Sequence, residues 1–185
     1  MNEADLVRRS QVGDEEAFCV LVEQHRNVLF GTAYLMTRDR GLADDAVQEA
    51  LFKMWKNLPS FRFQGSFKAW LVRIVANEVK QQYRKKQVPT TPIKEAAEIG
   101  GNHDEAEERA LLSEERRRMG KALSTLPEEQ REVVVLRYFA DLTVPEIAKT
   151  MGCKDGTVKS RLNRALGRLA HVLGDQNHSG LGQEA

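Results

Sequence analysis

Apolar positions recur at steps of three and four along most of the chain, so helices are expected almost throughout. Asp14, followed by Glu15 and Glu16, reads as an N-cap with an acidic first turn, and Phe18, Leu21, Val22, His25, Leu29 and Met36 continue one face. Gly41 reads as an interruption. Ala43, Val47, Ala50, Leu51, Met54 and Leu58 then line a second helix that Pro59 closes. The stretch "FRFQGSF" reads as a loop with Gly65 and a Ser66 cap. A third helix is expected from about Phe67 to Lys85, with Phe67, Trp70, Leu71 and Ile74 on its apolar side. Together these predict a compact helical domain over residues 1–86.

The pattern then lapses. Residues 87–108 gather Pro89, Pro92, Gly100 and Gly101 among polar and acidic residues, which predicts a flexible linker. Periodicity resumes with Leu111, Leu112, Met119, Ala122 and Leu123, and Pro127 opens "PEEQREVVVLRYF". The Val133–Leu136 run alone would suit a strand, but a Pro-Glu-Glu start favours a buried helix. Thr143 with Glu146 three residues later forms a capping box, Ile147, Ala148 and Met151 face inward, and Gly152 ends that helix. Asp155 is expected to cap the next, whose inner side carries Val158, Leu162, Leu166 and Leu169. The fold class is therefore all-α: two small helical domains on a flexible linker, the second spanning 109–173, with a disordered tail over 174–185.

Two short helices joined by a glycine turn, with small Ala148 four residues before Gly152, form a helix-turn-helix pattern. The outer side of its second helix offers Lys159, Ser160, Asn163 and Arg164, with Arg161 and Arg168 beside them, and its N-terminus at Gly156 and Thr157 adds backbone donors for a phosphate. Arg and Asn pair bidentately with base edges in a major groove, Ser hydroxyls add to this, and Lys and Arg hold phosphates. That combination favours duplex DNA binding over an ordinary helical hairpin with a solvated basic face.

Charge changes the picture, because a net charge of +1 excludes a uniformly basic nucleic-acid coat. The average hides blocks: seven bases against one acid over 62–86, two against eight over 94–115, and twelve against six over 116–168. In the first basic block Arg73, Asn77, Lys80, Gln81 and Arg84 share one helical face, close to Phe61, Arg62, Phe63 and Gln64 of the loop. Cations tracking a backbone beside aromatic rings suit single-stranded nucleic acid with unstacked bases. Phe67 and Trp70 at helical spacing are read more readily as core. Asp44, Asp45, Gln48 and Glu49 lie on the side of their helix away from Val47 and Leu51, as a solubilising face or a docking face for a basic partner.

Other chemistry is not indicated. Cys19 and Cys153 are far apart and read as small buried hydrophobes, and the four histidines have no metal spacing, so no cofactor, metal or catalytic residue is expected. No apolar run approaches the ~18 residues of a membrane span, and "MNEADLVRRS" does not read as a signal peptide, so a cytoplasmic, non-membrane protein is expected. A free-standing helix-turn-helix regulator and a helical adaptor remain as alternatives; neither has a use for the acidic face or the Asn77 stripe.

With "DDAVQEALFKMW", "FRFQGSFKAWLVRIVANEVKQQYRKK" and "LPEEQREVVVLRYFADLTVPEIAKTMGCKDGTVKSRLNRAL" in this order, the chain resembles bacterial RNA polymerase sigma factors of the extracytoplasmic-function (ECF) type, the sigma-70 class reduced to regions 2 and 4. The resemblance covers nearly everything but the linker and tail. It implies a factor that brings core RNA polymerase to promoters and helps melt the −10 region. It also implies that Asp44, Asp45, Gln48 and Glu49 grip the clamp helices of the largest subunit, with a further polymerase contact at the flap region. Phe61, Arg62, Phe63, Gln64, Arg73, Asn77, Lys80 and Arg84 would hold the −10 non-template strand, and Thr157, Lys159, Ser160, Arg161, Asn163 and Arg164 would read the −35 element. The linker would run through the polymerase cleft and RNA exit channel, and an anti-sigma factor is an implied partner. In this family Gly more often follows the loop's Phe-Arg directly; here Phe63 and Gln64 intervene before Gly65.

Overall fold

The computed structural model describes residues 2–63, 65–86 and 117–179. The chain divides into two compact units, residues 1–96 with 139–142 and residues 97–138 with 143–185. Among the described residues no strand forms. The expected linker and the last residues of the tail lie outside the described residues, as do Leu111 and Leu112.

The N-terminal unit begins with a helix that the apolar pattern did not announce, α1 (Glu3–Gln11), capped by the Asn2 side chain, which accepts from the Ala4 amide at 3.3 Å. Its apolar content is brief, but Leu6 and Val7 are fully buried. The second helix, α2 (Glu15–Thr37), starts where expected, with Asp14 accepting from the Ala17 amide at 2.9 Å. That bond, and then the Arg9 guanidinium, hold the Asp14 carboxyl below its ordinary pKa.

The break before α3 (Arg40–Asn57) is made by Arg38 in the left-handed region (φ 57°) and by Asp39, whose carboxylate accepts from Leu42 N at 3.0 Å. Gly41, expected to interrupt, lies inside the first turn. A 3-10 turn (Leu58–Ser60) carrying Pro59 leads to the loop, and α4 spans Phe67–Lys86. α2 packs against α1, α3 and α4, and α3 packs against α4. Because α4 has neighbours on two sides, its buried set is wider than one stripe: Phe67, Ala69, Leu71, Val72, Val75, Ala76 and Val79, with Trp70 and Ile74 only half-buried. Lys53 of α3 donates to the buried Glu78 carboxylate of α4 at 2.6 Å, and Gln81 adds a second donor at 3.3 Å.

The C-terminal unit contains α5 (residues 117–124), α6 (Glu128–Val134), whose N-cap is Pro127, α7 (Val144–Met151) and α8 (Asp155–Ser179). The valine run is helical, and from Val135 it widens into a π-turn. Buried Val133, Leu136, Ile147, Val158 and Ala165 form the centre. Two expected core positions are exposed instead, Met119 and Leu166; Ala165, next to Leu166, takes the inner place on α8. The cysteines also depart from expectation: Cys19 is exposed and Cys153 half-buried.

Candidate nucleic-acid interface

The turn before α8 is made by side-chain chemistry local to the sequence. Glu146 Oε2 accepts from the Thr143 amide at 2.8 Å and from its hydroxyl at 2.7 Å, closing the capping box at the start of α7. At its end Gly152 adopts φ 65°, and the amides of Gly152 and Cys153 return to the Ala148 carbonyl. A Cβ there would carry the strain of the left-handed region. The next helix starts one residue earlier than a cap at Asp155 would give. The Lys154 carbonyl accepts from Thr157 and Val158, and Asp155 sits in the first turn, where its charge complements the helix dipole.

On α8 the buried side is Val158, Leu162, Ala165 and Leu169. Lys159, Asn163 and Arg164 are exposed on the other side, and Thr157 and Ser160 are half-buried at its margin, with the Ser160 hydroxyl donating to the Thr157 carbonyl at 3.0 Å. Arg161 is different. Its guanidinium meets Glu129 of α6 at 2.6 Å with only 20% of the side chain exposed, so it braces α8 against α6.

In the N-terminal unit the loop is a cluster of rings. Phe61 sits at its centre, 5.2 Å from Phe63, 5.3 Å from Phe67 and 5.3 Å from Trp70. Phe67 is buried as core, whereas Phe63 has φ 49° and presents a 46%-exposed ring. Arg62 is exposed, and Gln64 lies outside the described residues. From this cluster α4 carries Arg73 (half-buried), Asn77 (exposed), Lys80 (half-buried) and Arg84 (exposed). The result is an aromatic platform continued by a polar, cationic helix face.

A third surface lies on α3, where Asp44, Asp45, Gln48 and Glu49 are all exposed. Phe52 shares this face, one turn beyond Gln48 and Glu49, and is 67% exposed. Pattern reading missed it, because inside the run "ALFKMW" it looks like core; the signal was its offset of three and four from the exposed polar residues. Phe52 thus stands exposed one turn from Glu49 and Gln48 on one side and Lys56 on the other.

Comparison with known proteins agrees with these two units. Residues 21–88 match the family model for sigma-70 region 2, and residues 116–169 match that for sigma-70 region 4. The ECF RNA polymerase sigma factor SigM of Mycobacterium tuberculosis is 33% identical over 177 residues, 95% of this chain and 87% of SigM. This chain belongs to the sigma-70 family of RNA polymerase sigma factors. Within it the ECF group is the match: the ECF sigma-E factor of Escherichia coli is 36% identical over 171 residues, 86% of this chain and 88% of that protein. The sigma factor RpoE of Bartonella quintana, solved with the anti-sigma factor NepR, superposes with a TM-score of 0.66 at 28% identity, covering 82% of this chain and 95% of RpoE.

This ECF sigma factor therefore has its aromatic loop, α3 face and α4 within the region 2 match and its helix-turn-helix within the region 4 match, while α1 precedes both. Among the described residues no group of three or more His, Cys, Asp or Glu side chains is placed to hold a metal ion, and no helix is long and apolar enough to cross a membrane.

Proposed function

We infer that this sigma factor delivers core RNA polymerase to promoters of two elements by dividing the work among three surfaces. The exposed donors Lys159, Asn163 and Arg164 of α8 read the −35 duplex, with Thr157 and Ser160 at the edge of the contact and Arg161 holding the helix in place. The ring cluster with Arg62, Arg73, Asn77, Lys80 and Arg84 holds the melted −10 non-template strand. Asp44, Asp45, Gln48 and Glu49, with Phe52 among them, dock on a basic surface of the polymerase clamp. The observation that carries this reading is the contrast between the nucleic-acid surfaces: side-chain donors on a free helix suit a groove, whereas an exposed ring beside cations suits unstacked bases.

No reacting group is needed. Melting costs pairing and stacking energy, and capture of an extruded base offsets part of it. Residues 87–108 act as the connecting linker, and an anti-sigma factor that covers these surfaces supplies regulation in the cytoplasm. Run-off transcription with core polymerase tests the assignment. Asp45→Arg is expected to weaken polymerase binding, and Arg164→Ala to relax promoter preference with polymerase binding retained. Unchanged polymerase binding by Asp45→Arg, or unchanged promoter choice by Arg164→Ala, contradicts the respective surface.

A further inference from the structure

Helix α1 reaches the −10 ring cluster directly at two points and, through His25 of α2, at a third. The Gln11 side-chain amide reaches two loop carbonyls, Leu58 O at 3.2 Å and Phe61 O at 2.7 Å. His25 lies 2.9 Å from the Glu3 carboxylate and meets the Phe67 ring edge-on at 5.8 Å, which links the start of α1 to the buried base of the cluster. The Arg8 guanidinium lies over the Phe63 ring, 5.7 Å from its centroid, and Asp5 accepts from its Nη1 at 3.0 Å. With Leu6 and Val7 fully buried, α1 is a fixed support for these contacts.

The arrangement holds an unfavourable conformation in place. Phe63 has φ 49°, in a region that residues with a Cβ adopt only where the surroundings enforce it. Gln11 fastens the backbone just before it, and the Arg8 guanidinium stands above its ring. Arg8 itself is 67% exposed, so the guanidinium plane still has an outer side open to solvent. Guanidinium planes, like aromatic rings, stack on unpaired bases.

We propose that α1 completes the single-strand site: an unpaired DNA base stacks on the outer side of Arg8, as a ring–cation–base stack on Phe63, and Gln11 is the positioning residue that fixes the loop for it. This rests on the −10 reading of the loop. It adds to that reading a residue from a helix that precedes the region 2 match at residues 21–88.

The test uses holoenzyme assembled from the full chain and core polymerase. The probe is a fork-junction DNA whose short non-template overhang of A and T is intact or carries one abasic site at each position in turn. Wild type is expected to lose about fivefold or more in affinity when one particular base is removed, the size of a single stacking contact. Arg8→Ala is expected to lose a similar factor on the intact overhang and nothing further on that abasic one. Gln11→Ala should behave alike, with core polymerase binding unchanged in both. Arg8→Lys keeps the charge without the plane and is expected to stay weak. Recovery by Arg8→Lys, or equal losses on intact and abasic DNA, overturns the stack. If Phe63→Ala abolishes the base dependence while Arg8→Ala leaves it intact, the inference fails and the −10 reading stands. If neither substitution matters, both fail.

Discussion

Phe52 separates docking from folding most clearly, because the free protein leaves 67% of it exposed. A phenylalanine side chain buries about 150–250 Å² when fully covered, so a partner that closes over Phe52 removes roughly 100–170 Å² more from water. At about 25 cal/mol per Å² this contributes roughly 2.5–4 kcal/mol, or two to three powers of ten in Kd, as an upper bound before the cost of ordering the interface. An exposed ion pair from Asp45 or Glu49 is worth about 1 kcal/mol or less. Phe52→Ala should therefore weaken core polymerase binding more than Asp45→Ala, leave Tm within a degree or two, and leave duplex binding by α8 untouched. Fluorescence anisotropy with labelled sigma factor and core polymerase reads the first effect and thermal unfolding the second. Unchanged polymerase affinity refutes the anchor, and a large fall in Tm places Phe52 in the fold rather than at the interface.

Other substitutions test the supports of these surfaces. Lys53→Met strands the buried Glu78 carboxylate with only Gln81 beside it, and since Lys53 is itself about one-third exposed the cost is about 2 kcal/mol, a Tm lowered by about 8–16 °C; the double variant with Glu78→Gln should recover most of it. Gly152→Ala meets no atom within 4 Å, so its cost is conformational, about 1–2 kcal/mol, and thermal unfolding should show Gly152→Asn to be milder, because Asn tolerates the left-handed region. Asp14→Ala loses the cap of α2. Because the folded pKa of Asp14 lies below 3.8, the stabilisation is present above that pH and is lost as pH falls through the folded value, so the Tm difference from wild type is expected to narrow in that acidic range.

The helix-turn-helix was legible because its signals are local: Thr143 and Glu146 three residues apart, a glycine at the turn, and an amphipathic helix after it. Tertiary neighbours decided the rest. The buried side of α4 was read too narrowly, as the one stripe of Phe67, Trp70, Leu71 and Ile74, whereas a helix flanked on two sides also buries Val72, Val75, Ala76 and Val79. Helix α1 escaped notice because its burial rests mainly on Leu6 and Val7, too few to set a period. The break between α2 and α3 was placed at Gly41 on residue type, but the side-chain bonds of Thr37 and Asp39 make it at Arg38. The DNA-facing side of α8 was read as one set of donors; only the position of Glu129 on α6 separates Arg161 from Lys159, Asn163 and Arg164.

The central claim is that one chain grips duplex DNA and an unwound strand with different units, through a polymerase that it recruits. Permanganate mapping of unpaired thymines tests it most directly, on a template selected from genomic fragments by run-off initiation with the holoenzyme. Reactive thymines are expected about one helical turn upstream of the start site only when sigma factor and core polymerase are both present, and they should be lost with Phe61→Ala or Asn77→Ala while protection of the upstream duplex persists. Opening by the sigma factor alone, or undiminished opening by the Phe61 and Asn77 variants, contradicts the account.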